Sequence, residues 1–191
     1  YGVTEALKGV DFEVRRGKVT VLFGENGAGK STLMKIMSGV EQPTSGEMRL
    51  RGDAVEFVDT NDAVAQGIAI IHQELNLAPN LTVRDNVFLG RELRTTSGID
   101  YKAEEATVAE VMKRLEEDIA PKTYVSDLRL GQQQIVEIAR AISLDAEVLI
   151  MDEPTSALSS TEVDVLFRVI EELKSQGVAI VYISHHPEEA L

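Results

Sequence analysis

The chain contains no cysteine, and its 19 basic residues are far outnumbered by 32 acidic ones. The first absence excludes disulfides and thiolate metal sites and fits a reducing compartment. The second leaves a net charge of −13, which repels nucleic acid overall. Three histidines are present, none grouped with other ligand types at short spacing, so no transition-metal site is expected. No apolar run approaches the roughly 20 residues that span a bilayer, so any membrane association is expected to be peripheral. No start methionine, signal peptide or transit peptide is visible. What is there is ordinary for a globular protein: 43% apolar and 27% charged residues. A length of 191 residues is enough for one good core and by itself allows one or two domains.

The most informative stretch is Gly24-Glu25-Asn26-Gly27-Ala28-Gly29-Lys30-Ser31-Thr32. It follows the β-branched run Val19-Thr20-Val21-Leu22-Phe23 and opens into the helical-looking Leu33-Met34-Lys35-Ile36-Met37. This is G-x-x-x-x-G-K-[ST] between a strand and a helix, the context a phosphate-binding loop requires. Glycines let successive backbone N–H groups curl around an anion, and the helix adds the positive end of its dipole. Lys30 supplies a charge for the β- and γ-phosphates, Ser31 a hydroxyl for Mg²⁺, and Thr32 a second hydroxyl near the α-phosphate. A bound nucleoside triphosphate is the expectation.

Apolar patterning places the remaining elements. Val10-Asp11-Phe12-Glu13-Val14 alternates as a half-buried strand does, and residues 18–23 read as the buried strand feeding the loop. Residues 47–50 alternate again, residues 61–66 form a short helix, and Ile68-Ala69-Ile70-Ile71 is a second buried strand. A loop through Gln73 follows, then a helix opened by the capping box Thr82-Val83-Arg84-Asp85, then a polar loop over 91–98. Helices are expected over 101–117 and 130–143, and a further one capped by Ser159-Ser160-Thr161-Glu162 and ended by Gly177. Val148-Leu149-Ile150-Met151 and residues 178–183 are continuous apolar runs, as in strands buried on both faces. Strands alternating with helices predict an α/β fold with a parallel core sheet.

Asp152 and Glu153 follow directly on one buried strand. Alongside a phosphate loop, Asp152 suits Mg²⁺ binding, usually through water, and Glu153 the polarisation of a water that attacks the γ-phosphate.

With the second nucleotide motif in place, the sequence resembles the ABC-type ATPases. Gly24 to Thr32 and Leu149-Ile150-Met151-Asp152-Glu153-Pro154 are similar to that family's two nucleotide motifs. Leu128-Arg129-Leu130-Gly131-Gln132 resembles its signature, Gln73 its Q-loop glutamine, and Ser156-Ala157-Leu158-Ser159 its D-loop. His185 matches the switch histidine and Tyr1 the aromatic that stacks on adenine. These motifs run in the family's order along essentially the whole chain. His72-Gln73-Glu74-Leu75-Asn76-Leu77, residues 86–92 and Gly131-Gln132-Gln133-Gln134 further resemble bacterial monosaccharide-import ATPases, in which two such domains are usually fused. The chain resembles the first of the two.

The resemblance implies a P-loop NTPase whose core parallel sheet is flanked by an antiparallel β-subdomain, from about 1–22 and 47–58, and by a helical signature subdomain over about 80–144. It implies a single nucleotide-binding domain over 1–191, short at both ends, with ATP and Mg²⁺ as cofactors. Lys30, Glu153 and His185 would be catalytic; Ser31, Gln73 and Asp152 would serve the metal. Two such domains, from one chain or as a homodimer, would close head to tail on ATP and drive permease subunits at the cytoplasmic face of the membrane, served indirectly by a periplasmic or extracellular sugar-binding protein. Two other readings share the motifs: an ABC ATPase that moves no solute, and an ATP-binding domain with little hydrolysis of its own.

The sequence departs from the family at Arg129, where serine is usual, at Ser159, where aspartate is common, and at His186, where a basic residue is common. Arg129 could bind phosphate as a cation, hold an interface open, or turn to solvent. Residues for holding this domain's own nucleotide are intact, and those lent to a partner are altered.

Overall fold

The computed structural model describes residues 6–25 and 27–184. Contacts divide the chain into two compact units: Tyr1–Ile70 with Ala146–Glu153 and Lys174–Leu191, and Ile71–Asp145 with Pro154–Leu173.

The first unit is organised by a four-stranded sheet of β1 (Val19–Phe23), β4 (Ile68–Ile71), β7 (Val148–Asp152) and β8 (Ala179–Ser184), in the order β1-β8-β7-β4. β1 and β7 both run parallel to β8. β8, apolar almost throughout and flanked on both sides, is buried at every residue. β1 was expected to be buried but is half-buried, because it takes an edge of this sheet and is covered by a partner strand on one side alone. The core joins Met34 of α1 (Lys30–Met37) and Ala63 of α2 (Thr60–Ala65) to Phe57, Ile150, Val181 and Ile183.

β2 (Met48–Leu50) and β3 (Asp53–Val55) form an antiparallel hairpin around Arg51 and Gly52, both at positive φ, the turn geometry that matches strand twist. The expected strand at Val10–14 is not formed among the described residues: residues 10–14 pair with no described strand. Phe12 and Val14 pack against the core all the same, while Val10 is exposed. Alternation encodes which side chains face inward, but a strand also needs a neighbour for its backbone.

The second unit packs α3 (Val83–Val87), α4 (Tyr101–Arg114) and α5 (Leu130–Ile142) against one another. The α3 capping box forms as expected, with Thr82 Oγ1 accepting from Asp85 N at 3.2 Å. Within the predicted polar loop at 91–98 the structure has a small hairpin, β5 (Arg94–Thr95) and β6 (Gly98–Ile99), too short for an apolar pattern to announce it. α6 (Ser160–Ser175) buries Val165, Leu166, Val169, Ile170 and Leu173. No helix among the described residues is long and apolar enough to cross a membrane.

Candidate functional site

The phosphate loop leaves the C-terminal end of β1 and enters α1 through Gly29, the helix N-cap, at φ 89°. A Cβ at Gly29 would lie 2.8 Å from both Ala6 O and Leu7 Cδ2, so glycine is required on conformational and steric grounds together. No side chain caps α1 and no acidic residue lies in its first turn. Among the described residues the leading N–H groups therefore have no side-chain cap, which suits an anion. Lys30 Nζ closes the loop by donating to Gly24 O and, at 3.0 Å, to Glu25 O. Ser31 is exposed and Thr32 half-buried.

Sheet register brings the acidic pair to the same edge. Leu22 lies opposite Ile183, and Ile183 opposite Asp152. With neighbouring strands about 4.8 Å apart, Asp152 lies roughly 10 Å across the sheet from the strand that launches the loop. Glu153 leaves the strand at φ 48°, a left-handed conformation unusual for a residue with a side chain. Its N–H still donates to Ile183 O at 3.0 Å. Strain of this kind costs of order 1–3 kcal/mol and concentrates at functional positions. The first unit thus joins residues 24, 25, 27–32, 152 and 153.

The donor chemistry of this unit fits Mg²⁺. It offers the Ser31 hydroxyl and the Asp152 carboxylate, and no group of three or more His, Cys, Asp and Glu that could cage a metal exists among the described residues. Mg²⁺ takes one or two protein oxygens and completes its shell with phosphate and water.

The second unit carries Gln73, the signature stretch and residues 156–159. Gln73 is exposed at the head of a loop held by buried polar side chains. Glu137 of α5, 5% exposed, accepts from Asn76 N at 2.7 Å, and fully buried Asn86 accepts from Ala78 N at 2.7 Å. Glu137 was not legible as a site residue, because its partner is a main-chain group 61 residues away.

The signature straddles the start of α5. Arg129 is the N-cap, Leu130 is 62% exposed, and Gln132 Oε1 accepts from Arg129 N at 3.4 Å. Gln133 Nε2 donates to Leu128 O at 2.9 Å. Gly131 backs onto the stretch 156–159: a Cβ there would lie 3.0 Å from Ala157 O and 3.4 and 3.5 Å from the Glu162 carboxylate oxygens. Of the three courses open to Arg129, the structure shows a cation tethered within its own unit: Nη2 donates to Glu162 Oε1 at 3.2 Å while 71% of the side chain stays exposed.

Glu162 is fixed in turn. Its Oε2 accepts from Ser159 N at 2.6 Å, and Ser159 Oγ accepts from Glu162 N at 3.4 Å. These bonds to Ser159, and then the Arg129 charge, hold the Glu162 carboxyl below its ordinary range. Glu117 is pushed the other way, first by burial and then by the Glu162 charge. Sequence reading found Glu162 as a capping residue but not as the counter-ion of Arg129.

Tyr1, Asn26 and His185, read as adenine-stacking, loop and switch positions, lie outside the described residues.

Comparison with known proteins gives a consistent picture. The family model for ABC transporters matches residues 7–156. The chain is 56% identical over 186 residues to the ribose import ATP-binding protein RbsA of Rhodopirellula baltica, covering 97% of this chain and 36% of that protein. It is 49% identical to the RbsA of Geobacillus kaustophilus, covering 99% of this chain and 39% of that one. The chain therefore spans little more than a third of the length of these curated relatives. Among solved structures, the dimeric post-hydrolysis state of the ATP-binding cassette MJ0796, bound to ADP and Pi, superposes with a TM-score of 0.85 at 26% identity, covering 98% of this chain and 85% of that one. A nucleotide-free cassette from an ABC transporter shares the fold, with a TM-score of 0.83 at 23% identity over 98% of this chain and 78% of that one. With the family model matched over residues 7–156, the chain belongs to the ABC transporter family.

Proposed function

We propose that this protein binds and hydrolyses ATP to energise import of a sugar across a membrane. The observation that carries the ATPase reading is the shared sheet edge, on which an uncapped phosphate loop and a left-handed Glu153 follow parallel strands. The sugar-import reading rests on relatives named ribose import ATP-binding proteins.

In this reading the N–H groups at Gly27 to Thr32 and the Lys30 ammonium hold the triphosphate, exchanging the loop carbonyls at Gly24 and Glu25 for phosphate oxygens. Tyr1 stacks on the adenine, and Glu25, Asn26 and Ala28 belong with residues 24–32 to the ATP-binding stretch. Ser31, Asp152 and Gln73 would hold Mg²⁺, directly or through water, and the ion would supply charge neutralisation at the phosphates. Glu153 takes the proton of the attacking water, and His185 holds the γ-phosphate.

The stretch 128–132 and the D-loop, Ser156 to Ser159, act on the nucleotide of a second nucleotide-binding domain, in the same polypeptide or a second copy. Gln73 reports nucleotide state to permease subunits at the cytoplasmic face, and a sugar-binding protein delivers solute to them. Gln73 and the signature helix share one unit, joined by the Glu137 to Asn76 bond, which supports such a relay. Equilibrium binding of ATP to the parent protein and to Lys30→Ala tests the reading: micromolar-range binding in the parent and its loss in the variant are expected, and equal affinity overturns the site.

A further inference from the structure

Arginine in place of a small hydroxyl residue at the head of α5 calls for an account, since it adds a long flexible cation to a surface read as meeting another domain. Among the described residues its guanidinium makes one hydrogen bond, to Glu162 through a single Nη at 3.2 Å, with the Glu117 charge also nearby. Guanidinium carries five N–H donors in a planar fork, so fixing one edge orients the rest without using them. The side chain is 71% exposed, which leaves it open to solvent. The anchor is rigid where the arginine is not: the Glu162 side chain is 11% exposed, is bonded to Ser159 N at 2.6 Å, and packs against Gly131.

Charge points the same way. A carboxylate within ordinary contact of Gly131 would repel an anion approaching the start of α5, and Arg129 offsets that charge while keeping donors to spare.

We propose that Glu162 is a positioning residue for the reaction: it anchors Arg129 by one Nη so that the remaining guanidinium donors meet the terminal phosphate of a nucleotide held by the opposing domain. This rests on the reading above of residues 128–132 as a surface acting across a pair of domains. An unanchored arginine would spread over many rotamers and lose most of its use as a directed phosphate donor. Glu162 acts through Arg129 and touches no substrate itself.

The test is a double-mutant cycle on the complete protein, reading kcat and KM for ATP in the parent, Glu162→Gln, Arg129→Ser and the double variant. Glutamine retains an oxygen for Ser159 N, so the cap on α6 persists, and thermal melting run in parallel checks this. In the Arg129 background, Glu162→Gln is expected to raise KM for ATP by about 3- to 10-fold, the size of coupling usual for contacting groups. With Arg129→Ser already in place, the same change is expected to leave KM unchanged or to lower it, because a repelling charge is removed and no cation is left to orient. A rise of equal size in both backgrounds would show Glu162 to be a cap and nothing more, and would overturn the proposal; so would an unmoved KM in the Arg129 background. A parent protein that neither bound nor turned over ATP would instead remove the functional reading itself, a result separable from a cycle without coupling in an active enzyme.

Discussion

Glu153 donates its backbone N–H to Ile183 O at 3.0 Å while held at φ 48°. The bond belongs to the last pair of the parallel β7–β8 ladder, Asp152 opposite Ile183, and the left-handed turn ends the strand immediately beyond Asp152. Two neighbouring carboxylates are thereby released from strand alternation, at the cost of a conformation that favours glycine.

That cost is measurable. Glu153→Gly is expected to raise stability by roughly 1 kcal/mol, the penalty of left-handed backbone for a residue with a Cβ, while abolishing ATP turnover. Denaturant unfolding beside an ATPase assay checks both halves; a destabilised variant would show that the side chain stabilises more than its backbone costs.

At Gly29 the sign reverses. Gly29→Ala places a methyl 2.8 Å from Ala6 O and Leu7 Cδ2 at φ 89°. A loss of at least about 2 kcal/mol is expected from left-handed strain and the clash combined, with nucleotide affinity falling as the loop shifts. Chemical denaturation with and without ATP reads the two effects.

The phosphate loop and the strand before it were legible because their signals are local: residue types at fixed spacing between a β-branched run and a helical one. The Ser159–Glu162 capping pair was legible for the same reason. What sequence patterning could not supply was partnership at a distance. Val10–14 alternates correctly but has no neighbouring strand among the described residues, β1 proved to be an edge, and Arg129 meets an acid 33 residues away. Alternation and composition report which faces are apolar, and they carry no information about which strand or charge lies alongside.

Glu137 gives a prediction about the Gln73 loop. Glu137→Ala removes a buried acceptor from Asn76 N, and a loss of about 2 kcal/mol is expected for a hydrogen bond to a charged group. Hydrogen exchange at the Asn76 amide should accelerate by more than in Glu137→Gln, which keeps an acceptor. Equal exchange in the two variants would contradict the role assigned to this bond.

The acidic cluster beside α5 yields opposite pH signatures. The Glu162 carboxyl is held down, chiefly by Ser159, so it stabilises the fold above the ordinary carboxylate range, and that contribution is lost as pH falls through its lowered value. Glu117 is raised by burial, so its ionisation opposes folding at neutral pH, and the penalty disappears below the ordinary range. Glu117→Gln is therefore expected to raise Tm at pH 7, with the gain vanishing near pH 4. A gain that persisted at low pH would implicate packing in place of charge.

The central claim, that Glu153 activates water for attack on ATP held by the phosphate loop, is tested most directly by Glu153→Gln, which keeps shape and removes the base. Turnover should fall by a factor of about 100 or more with ATP affinity preserved, the mark of a group that acts in the transition state. An unchanged rate, measured in the same preparation that binds ATP, would contradict the assignment.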